Sequence, residues 1–189
     1  DRKLLEEFYS EKGFANAMNF EHPYFLEEEM IDFLLKKNGF QILEKKKYLN
    51  HSIFYKKKKI FRKNKLLKNK YNNFKKNKKI FINFYKRINQ DIKKINNIIK
   101  NLEEVYLFGA HIFSQILISN GLDSSKIVGI LDNDSKKHNK YLYGSNIKVY
   151  SPKILKKKKL PIVILRAAQY NQEIKKQIIQ KINKKTKFI

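Results

Sequence analysis

Glu21 and His22 are residues of this sequence whose types suit proton transfer near neutral pH. An imidazole accepts a proton from a hydroxyl or an acidic carbon close to pH 7, and a carboxylate can orient a substrate or share in the transfer. Because adjacent residues on one chain seldom support each other directly, we expect the two side chains to address different partners. A structural role for His22, which precedes Pro23, is the alternative.

Two further candidates, both for ligand binding, follow apolar runs in the second half of the chain. Gly109-Ala110-His111 ends the run at residues 105–108, and Asp132 ends the run at residues 127–131. A glycine turn that opens a helix lets the backbone approach an anion, and an acidic residue at the end of a strand can accept a ribose or sugar hydroxyl. The three-glycine dinucleotide fingerprint is absent from this turn. Steric relief at Gly109 and turn capping by Asp132 are therefore the alternatives.

The chain carries a net charge of +26, and most of that charge lies in its middle. Residues 36–100 hold 23 Lys or Arg against two acidic residues, Glu44 and Asp91. Only four of the 43 basic residues are Arg, the side chain that recognises phosphates and bases through two parallel hydrogen bonds. A coding sequence rich in A and T explains the many lysines. We expect weak, salt-sensitive attraction to polyanions as a side effect.

Composition also bounds the class of protein. With 189 residues, of which 42% are hydrophobic, the chain can bury one small complete core and part of another. It has no cysteine, which excludes disulfides and thiolate metal sites. Since it also has no apolar run near the roughly 20 residues of a membrane span, we expect a soluble, cytoplasmic protein. Because the sequence opens on Asp1 and no full catalytic fold precedes Glu21, we expect an N-terminal portion to be missing.

The first hundred residues predict a helix, a strand pair and a connector. Apolar residues at spacings of three and four predict an amphipathic helix over residues 25–37, ended by Asn38-Gly39. The runs at residues 40–43 and 52–55 predict an antiparallel pair of strands. Residues 62–101 read as a basic, largely helical connector. Its isoleucines recur at intervals of three and four, which predicts one packed face.

Beyond residue 101 the pattern alternates between strand and helix. Apolar runs at residues 105–108, 127–131, 147–150 and 161–165 predict strands. Helices are predicted between the first two runs, from Ser151-Pro152 onward, and shortly before the C-terminus. Apolar strands that alternate with helices are typical of an α/β fold with a parallel, Rossmann-like sheet and right-handed crossovers.

Taken together, these segments resemble the C-terminal part of class I S-adenosylmethionine-dependent methyltransferases related to the sugar C-methyltransferases. The resemblance covers most of the chain outside the lysine-rich connector. It rests on the order and spacing of the matching segments. The matching segments are Asn19-Phe20-Glu21-His22, the helix that leads into Asn38-Gly39-Phe40, His51-Ser52-Ile53-Phe54, residues 105–110, residues 129–134, Lys136-Lys137, Gly144, Ser151-Pro152 and residues 170–174.

The resemblance implies a division into three parts. Residues 1–61 are the C-terminal remnant of a methyltransferase catalytic domain, residues 62–101 are the connector, and residues 102–189 are a Rossmann-like C-terminal domain. It implies S-adenosylmethionine as the cofactor of the intact enzyme and a nucleotide-linked sugar or other surface-glycan precursor as the substrate. The glycine-rich loop of the donor site is not in these residues, so we expect the fragment alone to be inactive.

The resemblance also carries active-site roles onto Glu21 and His22, with the histidine taking part in substrate proton transfer. Asn19 and Tyr24 beside them become candidates for substrate binding. The family commonly has Tyr and His directly before the Glu-His pair, where this sequence has Asn19 and Phe20. Methylation at carbon, oxygen or nitrogen therefore stays open.

Two competing interpretations use the same residues differently. Aromatic side chains interleaved with lysines over residues 45–100 are also typical of a nonenzymatic module that binds nucleic acid or another polyanion by stacking and charge. Alternatively, residues 102–189 form a small-ligand or subunit-docking domain without a catalytic role.

Overall fold

The computed structural model describes residues 26–48, 52–60, 74–167 and 170–189. These residues belong to two compact units, which meet in sequence between Asn83 and Phe84. The domain boundaries predicted at residues 61/62 and 101/102 stay predictions.

The first unit contains one helix and two antiparallel strands. Helix α1 (Glu28–Lys37) begins with acidic residues and ends with basic ones, which suits the helix dipole, and Gly39 follows it with φ 79°. Strands β1 (Phe40–Tyr48) and β2 (Ser52–Lys59) pair with an irregularity between Ile42 and Glu44. The predicted antiparallel pair is confirmed, but both strands run four or five residues farther than their apolar runs.

An ion-pair cluster holds α1 against the strand pair. Lys45 Nζ of β1 lies 2.8 Å from Glu28 Oε1 and 2.6 Å from Asp32 Oδ2, both on α1. The hydrogen bonds to Asp32 and Glu28 raise the pKa of Lys45 above its ordinary value. Among residues 26–47 and 53–60, no residue is fully buried.

The second unit is built on a long helix. Helix α2 (Phe74–Ile99) starts within the first unit and directs one apolar stripe into the core of the second. The members of that stripe, each at most 2% exposed, are Phe84, Ile88, Ile92, Ile95 and Ile99. The predicted packed helix face is confirmed.

A five-stranded parallel sheet follows α2, in the order β5-β4-β3-β6-β7. Its elements are β3 (Val105–Phe108), α3 (Ile112–Ser119), β4 (Ile127–Leu131), β5 (Val149–Tyr150), β6 (Ile162–Leu165), α4 (Asn171–Lys181) and β7 (Lys187–Phe188). All four pairings are parallel. The prediction of a Rossmann-like sheet is confirmed. The helix predicted after Ser151-Pro152 is a 3₁₀ helix, Pro152–Lys157.

One face of the sheet packs against α4 and the 3₁₀ helix. The buried cluster on this face consists of Tyr106, Phe108, Leu131, Leu155, Val163, Leu165, Ala167, Ile174 and Ile178. Gly129 makes room within it, because a Cβ at this position would lie 2.7 Å from Cδ2 of Tyr150. Because Gly129 has no side chain, the ring of Tyr150 on the edge strand β5 can lie over β4.

The opposite face of the sheet packs against α2 and α3. Side chains alternate between the two faces along each strand. The fully buried residues on this side are Val105, Leu107, Ile130 and Ile164. The β3–β4 and β6–β7 connections run in opposite directions along the sheet, so right-handed crossovers place α3 and α4 on opposite faces. Asn96 of α2 donates to the carbonyl of Gly121, just after α3, over 2.8 Å, which brings α2 to the α3 side.

We expect Ile95→Ala to lower the free energy of unfolding by about 2–5 kcal/mol, because it removes a buried side chain and leaves a cavity. Ile98→Ala on the same helix is the matched control. Ile98 is 53% exposed, so the same substitution there should change stability by about 0.5 kcal/mol or less. Urea unfolding measures both, and equal losses would contradict the assignment of the buried stripe.

Candidate functional site at the strand ends

The candidate site lies at the carboxyl ends of the central strands. The chain passes from β3 to β4 on one side and later from β5 to β6 on the other, so strand order reverses between β3 and β6. Ligands of open α/β sheets bind in the crevice at such a point. Gly109 follows β3, Asp132 follows β4 and Arg166 follows β6.

Asp132 makes three polar contacts in this crevice. It is 7% exposed, and its Oδ2 accepts the backbone N–H of Ala110 over 2.7 Å and lies 3.2 Å from Lys137 Nζ. Its Oδ1 accepts the backbone N–H of Asp134 over 2.8 Å. The carboxylate therefore joins the end of β4 to the turn after β3 and carries its own counter-ion.

His111 caps the first turn of α3. Its Nδ1 accepts the backbone N–H of Phe113 over 3.2 Å, and its ring meets the Phe113 ring edge to face at a centroid distance of 4.8 Å. Burial lowers the pKa of His111, and the nearby Asp132 carboxylate opposes that effect. A neutral imidazole suits this arrangement, because a protonated Nδ1 cannot accept a hydrogen bond.

Gly109 is required by both its conformation and its surroundings. Its φ is 105°, a region that side-chain-bearing residues rarely adopt, and a Cβ here would overlap the imidazole of His111. The Gly109 N–H donates to the carbonyl of Leu131 over 2.7 Å, and its carbonyl accepts from Ser114 Oγ over 2.5 Å. The turn is thus held by contacts within the protein.

Arg166 stands at the end of β6 with its donors engaged. Its Nε and Nη2 donate to the two oxygens of Asp91 over 2.7 and 3.0 Å, in a bidentate pair whose side chains are each 22% exposed. Its Nη1 donates to the carbonyls of Leu165 and Ile189 over 3.0 and 2.8 Å.

Sequence reasoning did not single out Arg166 or its pairing with Asp91. Two signals were available. Arg166 is one of only four arginines and directly follows an apolar run, and Asp91 is one of two acidic residues among residues 36–100.

The structure brings three of the sequence-predicted site residues together. Gly109, His111 and Asp132 surround the turn between β3 and α3. That a ligand binds to them stays a prediction. The other four candidates, Asn19, Glu21, His22 and Tyr24, lie outside the described residues.

A family comparison identifies the larger part of the chain. Residues 48–189 match the family model described as the C-methyltransferase C-terminal domain. No curated protein and no solved structure gives a significant match. The family match takes in β2, α2 and the whole parallel sheet with its strand-end crevice. Because it covers well over half of the sequence, this chain belongs to the C-methyltransferase C-terminal domain family.

Proposed function

We propose that the intact enzyme transfers a methyl group from S-adenosylmethionine to a nucleotide-linked sugar or another surface-glycan precursor. The family match over residues 48–189 is the observation that carries this proposal, and the family's description favours carbon as the methylated atom. Within the described residues, no helix is long and apolar enough to cross a membrane. A cytoplasmic location belongs to the same proposal.

The proposed chemistry needs an aligned acceptor and a base. Bound S-adenosylmethionine supplies an electrophilic methyl group, so the protein's tasks are to place the acceptor atom in line and to remove its proton. We assign removal of the acceptor's proton to His22 and a substrate contact to Glu21. Asn19 and Tyr24 are further candidates for contacts with the substrate. All four residues precede the matched residues 48–189.

We assign no part of methyl-donor binding to the strand-end crevice of the second unit. The turn there lacks the glycine-rich fingerprint of a dinucleotide site, and Asp132, the acidic side chain that a ribose would need, already accepts the N–H groups of Ala110 and Asp134. We therefore route no step of methyl transfer through this crevice.

We further propose that α1, β1 and β2 complete the edge of a larger catalytic sheet, within a catalytic part that ends near residue 61. An isolated pair of strands is marginally stable in water. Leu26 is 45% exposed and Leu43 is 52% exposed. A neighbouring layer of the catalytic domain would cover such side chains and add the area that an independent core requires.

A second candidate function, polyanion binding, is favoured by the charge of α2. Lys79, Lys86 and Lys93 recur every seven residues, and all three are exposed on the side away from the buried stripe. Such a row of ammonium groups attracts phosphates without reading bases.

For the methyltransferase proposal, His22→Ala in the complete enzyme should lower kcat by at least about 100-fold, because it removes the base. The affinity for S-adenosylmethionine should stay within about twofold, since His22 is assigned to the acceptor. Single-turnover methyl transfer and calorimetry measure the two quantities. His51→Ala is the control, because no proton transfer is assigned to His51. Unaltered turnover in His22→Ala would remove His22 from the mechanism.

For polyanion binding, the affinity of the chain for single-stranded DNA should fall by at least about 100-fold between 50 and 200 mM salt, with no base preference. Fluorescence anisotropy with homopolymers of each base tests this. Tight binding that survives high salt and discriminates between bases would instead favour a dedicated nucleic-acid-binding module over residues 45–100.

A further inference from the structure

Three backbone donors at the turn that receives ligand anions in Rossmann-like folds are already engaged in this domain. Such anions meet N–H groups at the turn between the first strand and the first helix. Here the N–H of Gly109 donates to Leu131, that of Ala110 to the Asp132 carboxylate and that of Phe113 to His111. Two of these three acceptors are side chains that stand where a ligand would offer its own oxygen atoms.

The space that a ligand would enter is filled as well. Close approach of a pyrophosphate depends on a glycine with open space above its Cα. The imidazole of His111 lies in the corresponding space over Gly109, with its Cδ2 2.9 Å from the position of a Cβ. The space over Gly109 is thus occupied by the side chain of His111.

The guanidinium group of Arg166 in this crevice already has a carboxylate partner. Arg166 stands at the end of β6, where a cation can meet a phosphate, but Asp91 binds it bidentately and two carbonyls take its remaining contacts. Lys137 is likewise paired with Asp132. Arg166 and Lys137 therefore each have a carboxylate partner inside the fold.

We propose that the Asp132 carboxylate acts as an internal anion, in the place that a ligand's anionic group occupies in nucleotide-binding Rossmann-like domains, and that the crevice is a closed structural joint which binds no nucleotide. This inference gives Gly109, His111 and Asp132 a positioning role in place of the ligand-binding role expected from the sequence. It is independent of the identity of the methyl acceptor.

Chemical rescue tests the internal anion. Asp132→Ala in the complete chain leaves a recess with two unpaired N–H groups and the Lys137 ammonium. We expect its Tm to fall by about 4 °C or more and formate to restore at least half of that loss, whereas sodium chloride at equal ionic strength should not.

Asp123→Ala is the matched control for the rescue. Asp123 caps the N–H of Ser125 over 3.1 Å in a similar turn, and within the described residues no lysine forms an ion pair with it. Its loss should lower Tm with no specific response to formate. A folded Asp132→Ala variant that formate fails to restore would overturn the proposal.

A titration of the wild-type chain tests the closed joint directly and does not depend on how Asp132→Ala folds. The probes are S-adenosylmethionine, NAD and uridine diphosphate glucose, each added up to millimolar concentration while amide resonances are followed by NMR. We expect no saturable shift at Gly109, Ala110 or Phe113. A saturable shift at these amides with any probe would overturn the proposal.

Discussion

The bidentate ion pair between Asp91 and Arg166 is the contact on which the arrangement of the second unit depends. It joins the long helix α2 to the end of β6, and the same guanidinium reaches the carbonyls of Leu165 and Ile189. One side chain therefore fixes a helix, a central strand and the C-terminal end of the chain. Because both partners are largely buried, removal of either one would leave a charge without compensation, which is far more costly than the loss of an exposed pair.

A common principle links this ion pair to the strand ends. Two side chains there have a partner from another element: Asp132 connects β4 to the turn after β3, and Arg166 connects β6 to α2. The apolar faces of the sheet supply most of the stabilisation, whereas the polar contacts fix which ends meet. The C-terminal domain is thus well suited to be a rigid body, and the proposed chemistry belongs to residues in the part of the enzyme that precedes it.

The sequence was informative where burial produces a regular pattern. Continuous apolar runs located β3, β4 and β6, and isoleucines spaced by three and four located α2. The lengths of β1 and β2 were underestimated because lysines fill the later positions of both strands, so residues beyond Leu43 and Tyr55 carry little apolar signal. The sequence predicts an ordinary helix after Ser151, where the structure has a 3₁₀ helix, since both kinds of helix begin with the same cap and proline.

The candidate site was harder to predict because its outcome depends on distances that spacing does not fix. An aspartate at the end of a strand can bind a ribose or accept hydrogen bonds from the protein, and the residue type is the same in both cases. The 2.7 Å contact from Ala110 to Asp132 is visible only in the folded chain, because it depends on the pairing of β3 with β4. Asp91 and Arg166 are 75 residues apart in the sequence, so no local pattern predicts that they pair.

The most direct test of the central claim, that this chain is the C-terminal part of a carbon-methylating enzyme, is to follow the methyl group itself. The complete enzyme would be incubated with S-adenosylmethionine carrying a ¹³C-labelled methyl group and with a panel of nucleotide-linked sugars, and the products examined by NMR. The account predicts a product whose labelled methyl is bonded to a sugar carbon. A labelled methyl found only on oxygen or nitrogen, or no transfer to any nucleotide-linked sugar by an enzyme that binds the donor, would contradict it.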